Sequence, residues 1–152
     1  MASFVLKDAY VGYTTAASTA GYNNISSHVR AVGLAVESDS VDDSAMGDDW
    51  RSFVSGALKN WTMSVEFNQD FSTASAVAPG GAPLWNTLGS TAVSWRVRPT
   101  TAAPSATNPE FRGAGLGLSM GPVDGSVGEL ATMSYEVQGV STLTRGTTSN
   151  TG

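Results

Sequence analysis

Apolar and polar side chains alternate along much of this chain with the two-residue period of a β-strand. The clearest case is residues 61–67, where every second residue from Trp61 to Phe67 is apolar and the residues between are polar or charged. Successive side chains of a strand point to opposite faces of its sheet, so this pattern predicts one buried and one solvated face. Related patterns predict strands over residues 4–13, 28–37, 92–98, 111–120 and 130–138, a short edge strand after residue 142 and a flexible tail over residues 146–152.

One segment, residues 78–89, has the pattern of a short helix. Pro83 suits a first helical turn, Leu84 and Leu88 lie one turn apart, and Gly89 is placed to end the helix. Six or seven strands with one flanking helix, and no regular alternation of strands with helices, predict an antiparallel β-sandwich or small barrel. At 152 residues the chain is expected to form a single domain over residues 1–152.

Residues 38–59 interrupt the alternation with a long acidic segment. Asp39, Asp42, Asp43, Asp48 and Asp49 surround Met46 and Gly47. A connection of about twenty residues is long against the usual loop of about 4 to 6 residues, and such loops are commonly functional. We predict that this segment is a loop that projects from the β-rich body and contacts other copies of the chain.

Part of the same segment has helical spacing, since its apolar residues lie at i, i+3, i+4, i+7 and i+8 from Trp50 to Leu58. Gly56 and the β-branched Val54 weigh against a helix. A short helix over residues 50–58 therefore stays open as an alternative to an irregular loop.

The composition argues against several classes of protein. The formal net charge of −5 is unfavourable for gripping phosphate backbones. The absence of cysteine excludes a disulfide framework and a thiolate site. No secretory signal pattern or long apolar run is present, which predicts assembly in a cytoplasm and no membrane partner. With only 14% charged residues, the surface suits a protein largely covered by neighbouring subunits.

Candidate catalytic and cofactor chemistry is also missing. The one histidine, His28, has no glycine-flanked serine of the nucleophile-elbow type near it. An EF-hand starting at Asp42 would place Met46 at the fifth ligand position and Phe53 at the twelfth, so the spacing fails. The glycines at 113, 115 and 117 lack the third glycine of a dinucleotide fingerprint. We expect no enzyme, no cofactor and no regular metal site, and an irregular cation site in the acidic segment stays open.

Five segments occur in an order that resembles the tail tube, or major tail, proteins of long-tailed phages of actinobacteria. They are DDSAMGDDWR (residues 42–51), LKNWTMSVEFNQDF (58–71), WRVRPT (95–100), SATNPEFRG (105–113) and DGSVGELAT (124–132). The resemblance covers roughly residues 3–147, and its specificity comes from the number and order of the segments. Residues 12–24 and 76–83 depart from the pattern, which affects surface loops rather than the body.

The resemblance implies a β-sandwich with a flanking helix, six copies to a ring and rings stacked into a hollow tube. It also implies that residues 42–58 are a long loop reaching neighbouring subunits. The intersubunit residues would be Asp42, Asp43, Met46, Asp48, Asp49, Trp50, Arg51 and Phe53. Met46, Trp50 and Phe53 would act as apolar anchors, and the aspartates would meet arginines of another copy, such as Arg30, Arg51 or Arg112. The plainer alternative is a solvated acidic loop.

The polar faces of two predicted strands are candidates for the lumen wall. The candidate residues are Ser64, Glu66, Asn68, Thr132, Ser134, Glu136 and Gln138. Six copies at −5 each give about −30 per ring, which would repel DNA from the wall and let it pass. The alternative is that Glu66 and Glu136 pair with Arg96 or Arg98 across the sheet. Glycines 113, 115 and 117 are expected to let another backbone approach or the strand bend.

The sequence therefore predicts a self-assembling tail tube subunit of the virion. Its partners would be other copies, tail proteins at the tube ends and inside it (terminator, distal tail and tape measure proteins), and DNA in transit through the lumen. A capsid decoration protein is the alternative, because a small β-sandwich without catalytic residues would also serve there. A hydrolase or a sugar-binding module is a more distant candidate.

Overall fold

A computed structural model describes residues 7–14, 22–47, 49–70, 83–89 and 92–148. The strands are β1 (Tyr10–Thr14), β2 (Asn23–Asn24), β3 (Val29–Asp42), β4 (Phe53–Asn68), β5 (Val93–Arg98), β6 (Glu110–Asp124), β7 (Thr132–Gly139) and β8 (Thr144–Gly146), and α1 spans Pro83–Thr87. The predicted strand at residues 4–6, the predicted helical residues 78–82 and the end of the tail from residue 149 lie outside the described residues. In the described part of the chain, no helix is long and apolar enough to span a membrane.

The strands form one sheet in the order β2-β1-β5-β6-β7-β4-β3, and β8 pairs with β6. Every pairing between these strands is antiparallel. The predicted antiparallel β class is therefore confirmed. The sheet is open, with β2 and β3 at its two edges, so the predicted alternative of a closed small barrel was wrong.

The sheet folds over on itself along β6. Trp95 of β5 pairs with Gly113 of β6, whereas Tyr135 of β7 pairs with Met120, seven residues further along the same strand. Seven residues of straight strand span about 23 Å. The rings of Trp95 and Tyr135 are nevertheless only 5.8 Å apart between centroids. Strand β6 must therefore bend, which lays β1 and β5 over β4 and β7 as two layers of a sandwich.

The hydrophobic core lies between these two layers. Its buried members come from β1, β4, β5 and β7, with additions from α1 and the chain after β2. They are Val11, Tyr13, Ile25, Trp61, Met63, Val65, Phe67, Leu84, Val93, Trp95, Val97, Met133, Tyr135 and Val137. All four apolar positions predicted on the buried face of β4 are in this core, because strand alternation places them on one side.

Glycines make room for the largest core side chains. A Cβ atom at Gly113 would lie 2.7 Å from the Trp61 indole, and one at Gly139 would also collide with that ring. Tyr135 occupies the corresponding space beside Gly117. The Trp61 indole N–H donates a hydrogen bond to the carbonyl oxygen of Ser141 at 2.8 Å. Bending of β6 agrees with the prediction for its glycines, and the groups closest to them are the side chains of Trp61 at Gly113, Val137 at Gly115 and Tyr135 at Gly117.

Helix α1 closes one side of the core. Leu84 is fully buried, and the Thr87 and Tyr135 hydroxyls are hydrogen-bonded at 2.9 Å. Burial raises the pKa of Tyr135, and it also raises that of Tyr13. Gly89 has a positive φ of 67° two residues after the last helical residue, Thr87, as expected for a glycine near a helix end.

The acidic segment is mostly strand, which corrects the prediction of a loop over residues 38–59. Strand β3 continues to Asp42 and β4 begins at Phe53, leaving a connection of ten residues, 43–52. The helix considered over residues 50–58 was wrong for residues 53–58, which belong to β4. Pairing changes register between Ser38–Lys59 and Ser40–Ser55, so β4 contains extra residues there. That bulge breaks the two-residue period and hides the strand in the sequence.

Candidate assembly surfaces

The residues predicted to line a lumen lie together on one face of the sheet. Strands β4 and β7 pair in a register that sets these residues opposite one another: Ser64 faces Glu136, Glu66 faces Ser134, Asn68 faces Thr132 and Thr62 faces Gln138. Directly opposed residues of a strand pair share a face. We call this surface, with its flanking residues on β3 and β6, the polar face.

Several small residues of the flanking strands border the polar face. Strand β3 contributes Ala31, Gly33 and Ala35 opposite the polar residues of β4. On the other side, Ser119 and Gly121 of β6 lie opposite Glu136 and Ser134. Larger residues also lie on these borders, since Leu116 of β6 is opposite Gln138.

The acidic residues of the polar face have local partners. Glu66 and Arg30 are 3.6 Å apart, with both side chains about half exposed. Glu136 Oε2 accepts a hydrogen bond from Ser119 Oγ at 3.1 Å. The alternative prediction, that Glu66 or Glu136 pairs with Arg96 or Arg98, was wrong, since both of those arginines contact Glu110 instead.

The polar face is acidic overall. Register places Glu37 beside Asn60 and Asp124 beside Thr132, so both carboxylates join Glu66 and Glu136 on this face. Arg30 is the base on this surface and contacts one of the four acids, Glu66. Four acids against one base give this surface a formal charge of about −3.

Two sheet edges flank the polar face. Strand β3 is the last strand of the sheet, so its outer side has no partner strand among the described residues. Strand β6 pairs with β5 only through residues 111–115. Beyond the bridge from Leu88 to Gly117, residues 118–124 show no strand on that side in the described part of the chain. Such edges can pair with a strand of another chain.

The end of the β3–β4 hairpin extends away from the body. Strand β7 pairs with β4 only from Thr62 to Asn68, so the part of β4 before residue 60 pairs with β3 alone. We call residues 39–58, beyond the Ser38–Lys59 pair, the ribbon, and the rest of the chain the body. Measured on β3, which has no extra residues, the six residues from Glu37 to Asp42 correspond to a length of about 20 Å.

Hydrogen bonds close the tip of the ribbon. The Ser52 N–H donates to Ser44 Oγ at 2.8 Å, and the Asp43 N–H donates to the Ser52 carbonyl at 3.0 Å. The Ser44 N–H donates to Asp42 Oδ1 at 3.0 Å. Hydrogen bonds from the Ser44 side chain and backbone hold the pKa of Asp42 below its usual value. The tip therefore has a defined local structure although it is exposed.

The structure brings most of the predicted intersubunit residues to the ribbon. Met46 and Trp50 are almost completely exposed, at 106% and 87%, and Phe53 is 57% exposed. Asp42, Asp43, Asp49 and Arg51 are exposed as well, and Asp48 lies outside the described residues. Every ion pair found among the described residues lies in the body. The exposures of Met46, Trp50 and Phe53 show that the large apolar side chains of the ribbon face solvent in a single copy.

Most of the net charge also lies on the ribbon. Five of the 13 acidic residues and one of the eight basic residues fall within residues 39–58, a formal charge of −4. The body carries the other eight acidic and seven basic residues, a formal charge of −1. Since the polar face accounts for about −3, the body away from that face has an excess of about two positive charges.

Sequence reasoning missed a buried charge cluster around Glu110. This carboxylate is 2% exposed and contacts Arg112, with Arg96 at 3.8 Å and Arg98 at 3.6 Å. The guanidinium groups of Arg96 and Arg98 each lie 4.0 Å from the centre of a tyrosine ring, Tyr22 and Tyr10 respectively. The sequence showed that Arg96 and Arg98 share one face of their strand. Their partner Glu110 is on another strand, and only the register between the two strands identifies it.

No group of three or more histidine, aspartate or glutamate residues that could hold a metal ion is found in the described part of the chain.

Comparison with models of protein families finds no match, and comparison with curated proteins finds no relative. Solved structures do match. The tail of an empty gene transfer agent particle, refined with C6 symmetry, has a TM-score of 0.66 at 13% identity, covering 90% of this chain and 94% of that one. The tail tube of SPP1 has a TM-score of 0.73 at 10% identity, covering 95% of this chain and 80% of that one.

A third match is the baseplate of the anti-feeding prophage, six-fold symmetrised, with a TM-score of 0.57 at 10% identity. It covers 98% of this chain and 99% of that one. The chain therefore has the fold of tail tube proteins over nearly its whole length.

Proposed function

We propose that this chain is the structural subunit of a phage tail tube, located in the tail of the virion. The observation that carries the proposal is the likeness to tail structures along 90% or more of the chain, including one refined with C6 symmetry. The ordered motifs of the sequence point to long-tailed phages of actinobacteria. In this proposal the chain acts by assembly rather than by catalysis, and its main partner is another copy of itself.

Rings of six copies would close through the two free sheet edges. The outer edge of β3 in one copy would pair with residues 118–124 of β6 in the next, because both edges flank the polar face. Main-chain hydrogen bonds would then continue the sheet from copy to copy. Such a closed ring leaves no unpaired strand edge around the channel.

The polar face would line the lumen. Its formal charge of about −3 per copy is smaller than the −5 of the whole chain, because the ribbon holds most of the excess. Carboxylates spread over this wall would repel the phosphate backbone of DNA, so that DNA passes during ejection without binding. Other tail proteins, of the terminator, distal tail and tape measure types, would contact the tube at its ends and inside it.

Electron microscopy tests this proposal. Negative-stain images of the purified protein should show rings or tubes, if necessary after addition of a tail initiator complex. Cryo-electron microscopy of the virion should then place the chain in the tail, with the polar face toward the channel. A protein that remains monomeric or trimeric and binds to capsids would contradict the proposal and favour a capsid decoration role.

A further inference from the structure

Asp124 and Gly125, at the end of β6, form the one Asp-Gly pair of the sequence. The backbone nitrogen that follows an aspartate can attack the carboxyl carbon of that aspartate, because both groups belong to the same chain and close a five-membered ring. A Cβ atom on the second residue shields this nitrogen, and glycine has no Cβ atom. Of the eight aspartates, only Asp124 is therefore followed by an unshielded backbone nitrogen.

The fold leaves both reacting groups accessible. Asp124 and Gly125 are exposed. The Gly125 N–H has no hydrogen-bond acceptor among the described residues, and the Asp124 carboxylate takes part in none of the ion pairs found there. Pairing between β6 and β7 is irregular from Gly121 to Asp124, so Asp124 is joined to β7 by a separate last pair with Thr132. The two groups can therefore approach each other without disrupting a regular ladder of hydrogen bonds.

Two other aspartates that precede a small residue are held more firmly. Serine follows both Asp39 and Asp43. Ser40 lies within β3 and pairs with Ser55. The Ser44 N–H, which would be the attacking group for Asp43, donates a hydrogen bond to Asp42 Oδ1 at 3.0 Å. Both nitrogens also belong to residues with a Cβ atom, so these positions should react far less than Asp124.

We propose that Asp124 and Gly125 are a site of spontaneous modification, where the free subunit acquires an isoaspartyl linkage. The Gly125 nitrogen bonds to Asp124 Cγ, and its hydrogen leaves with the carboxyl hydroxyl group as water. Water then adds to the former main-chain carbonyl of the resulting succinimide and breaks its bond to the nitrogen. The chain afterwards runs through Asp124 Cβ and Cγ, and the released carboxylate keeps the net charge unchanged.

The product alters the free edge of β6. The main chain gains one carbon atom at residue 124, and the carbonyl oxygen that accepts a hydrogen bond from Thr132 Oγ1 at 3.3 Å becomes part of a carboxylate. Residues 118–124 are the edge that pairs with β3 of the next copy in the proposed function, on which this step rests. A charged group at a strand edge opposes such pairing. Modified subunits are therefore excluded from rings, and the site limits how long a free subunit stays competent to assemble.

Peptide mapping of the folded monomer tests the modification. The monomer is incubated below its unfolding temperature, digested with trypsin and labelled with a protein isoaspartyl methyltransferase. Label should accumulate in the peptide of residues 113–145, whose one aspartate is Asp124. It should be absent from Asp124→Glu, which keeps the charge but would have to close a six-membered ring.

A synthetic peptide of residues 119–129 is the reference for an unfolded site. The folded monomer should form isoaspartate at a rate similar to that of this peptide, because its reacting groups are exposed and unpaired. No label at residue 124, or a folded monomer that reacts far more slowly than the peptide, would show that the end of β6 protects the site. Either result would overturn the inference.

Assembly of an aged sample tests the consequence for rings. Partly modified monomer is assembled, with an initiator if needed, and isoaspartate is measured in the tubes and in the protein that remains soluble. The tubes should be depleted of isoaspartate, and the tube yield of Asp124→Glu should not fall on ageing. An equal isoaspartate content in both fractions would overturn the exclusion of modified subunits.

Fresh wild-type protein that forms no tubes, even with an initiator, contradicts the proposed function and with it the exclusion step. The peptide map decides separately whether the modification occurs, because it needs only the folded monomer.

Discussion

Glu110 holds three arginines on the sheet face opposite to the core. Its carboxylate is 2% exposed, and the side chains of Arg96, Arg98 and Arg112 are between 14% and 19% exposed. Removing one partner of a buried ion pair leaves the remaining charges without compensation. Three guanidinium groups in this small volume would then repel one another, so Glu110 should matter more for stability than any exposed carboxylate.

We predict that Glu110→Gln lowers the free energy of unfolding by about 3 to 5 kcal/mol, the usual cost of breaking a buried pair from one side. The matched control is Glu66→Gln, whose ion pair with Arg30 is about half exposed. That variant should lose at most about 1 kcal/mol. Urea unfolding of the monomers measures both, and equal losses would show that the Glu110 cluster is not a stabilising centre.

The space around Trp61 gives another residue-scale prediction. A methyl group at Gly139 would collide with the indole, which is 4% exposed and fixed by its hydrogen bond to Ser141. Gly139→Ala should therefore cost about 1 to 3 kcal/mol of stability through overpacking.

Gly33→Ala is the control for Gly139→Ala. Its added carbon would approach only Ser64 Oγ, at 3.2 Å on an exposed face, and its effect should stay within about 0.5 kcal/mol. Thermal unfolding compares the two variants. A larger loss in Gly33→Ala would contradict the assignment of the glycines to ring packing.

At the scale of elements, the strands with an unbroken two-residue period were predicted well. Residues 61–67 fall within β4, the strand predicted over residues 92–98 is β5 at Val93–Arg98, and the edge strand expected after residue 142 is β8 at Thr144–Gly146. Alternation alone was enough to place the polar residues of β4 on one face of that strand, and those of β7 on one face of theirs. Their mutual register could not be predicted, because it depends on contacts between residues more than sixty positions apart.

The ribbon shows why other parts of the strands could not be predicted from the sequence. Val41, Phe53 and Val54 are good strand formers, but the register shift between Ser38 and Ser40 removes the regular period. Five aspartates, which are uncommon in strands, further hid the hairpin. The prediction that this segment projects from the body agrees with the position of the ribbon, and its role in contacts between copies stays a prediction.

For the tip, we predict that Trp50→Ala leaves the monomer folded but abolishes tube formation. Trp50 is 87% exposed, so its loss should change the free energy of unfolding by no more than about 0.5 kcal/mol. Trp50→Phe keeps an aromatic anchor and is the control. Circular dichroism and electron microscopy give the two readouts, and an unchanged tube yield in Trp50→Ala would exclude Trp50 as an anchor.

For the molecule as a whole, the separation of charge matters more than its total. The ribbon is at −4 while the body is at −1, so free subunits meeting through their ribbons repel one another. This repulsion acts between exposed groups within about 10 Å at 0.1 M salt. It should keep uncovered apolar side chains of different subunits apart until a body surface is available.

We predict that Asp42→Asn, Asp43→Asn and Asp49→Asn together cause purified monomers to form irregular aggregates at low salt. The control variant, Asp8→Asn, Asp124→Asn and Glu129→Gln, has the same net charge of −2 but retains the acidic ribbon. It should remain dispersed. Light scattering compares the two, and equal aggregation would show that net charge alone, rather than its position, controls association.

The position of β1 has a consequence for how the chain acquires its structure during synthesis. Strand β3 is followed directly by its partner β4, so their hairpin can form as soon as residue 68 is available. Strand β1 pairs with residues 94–98, which are made about eighty residues later. Closing so long a loop is slow compared with local pairing. We therefore expect the β3–β4 hairpin to form before β5 pairs with β1 and covers Val11 and Tyr13.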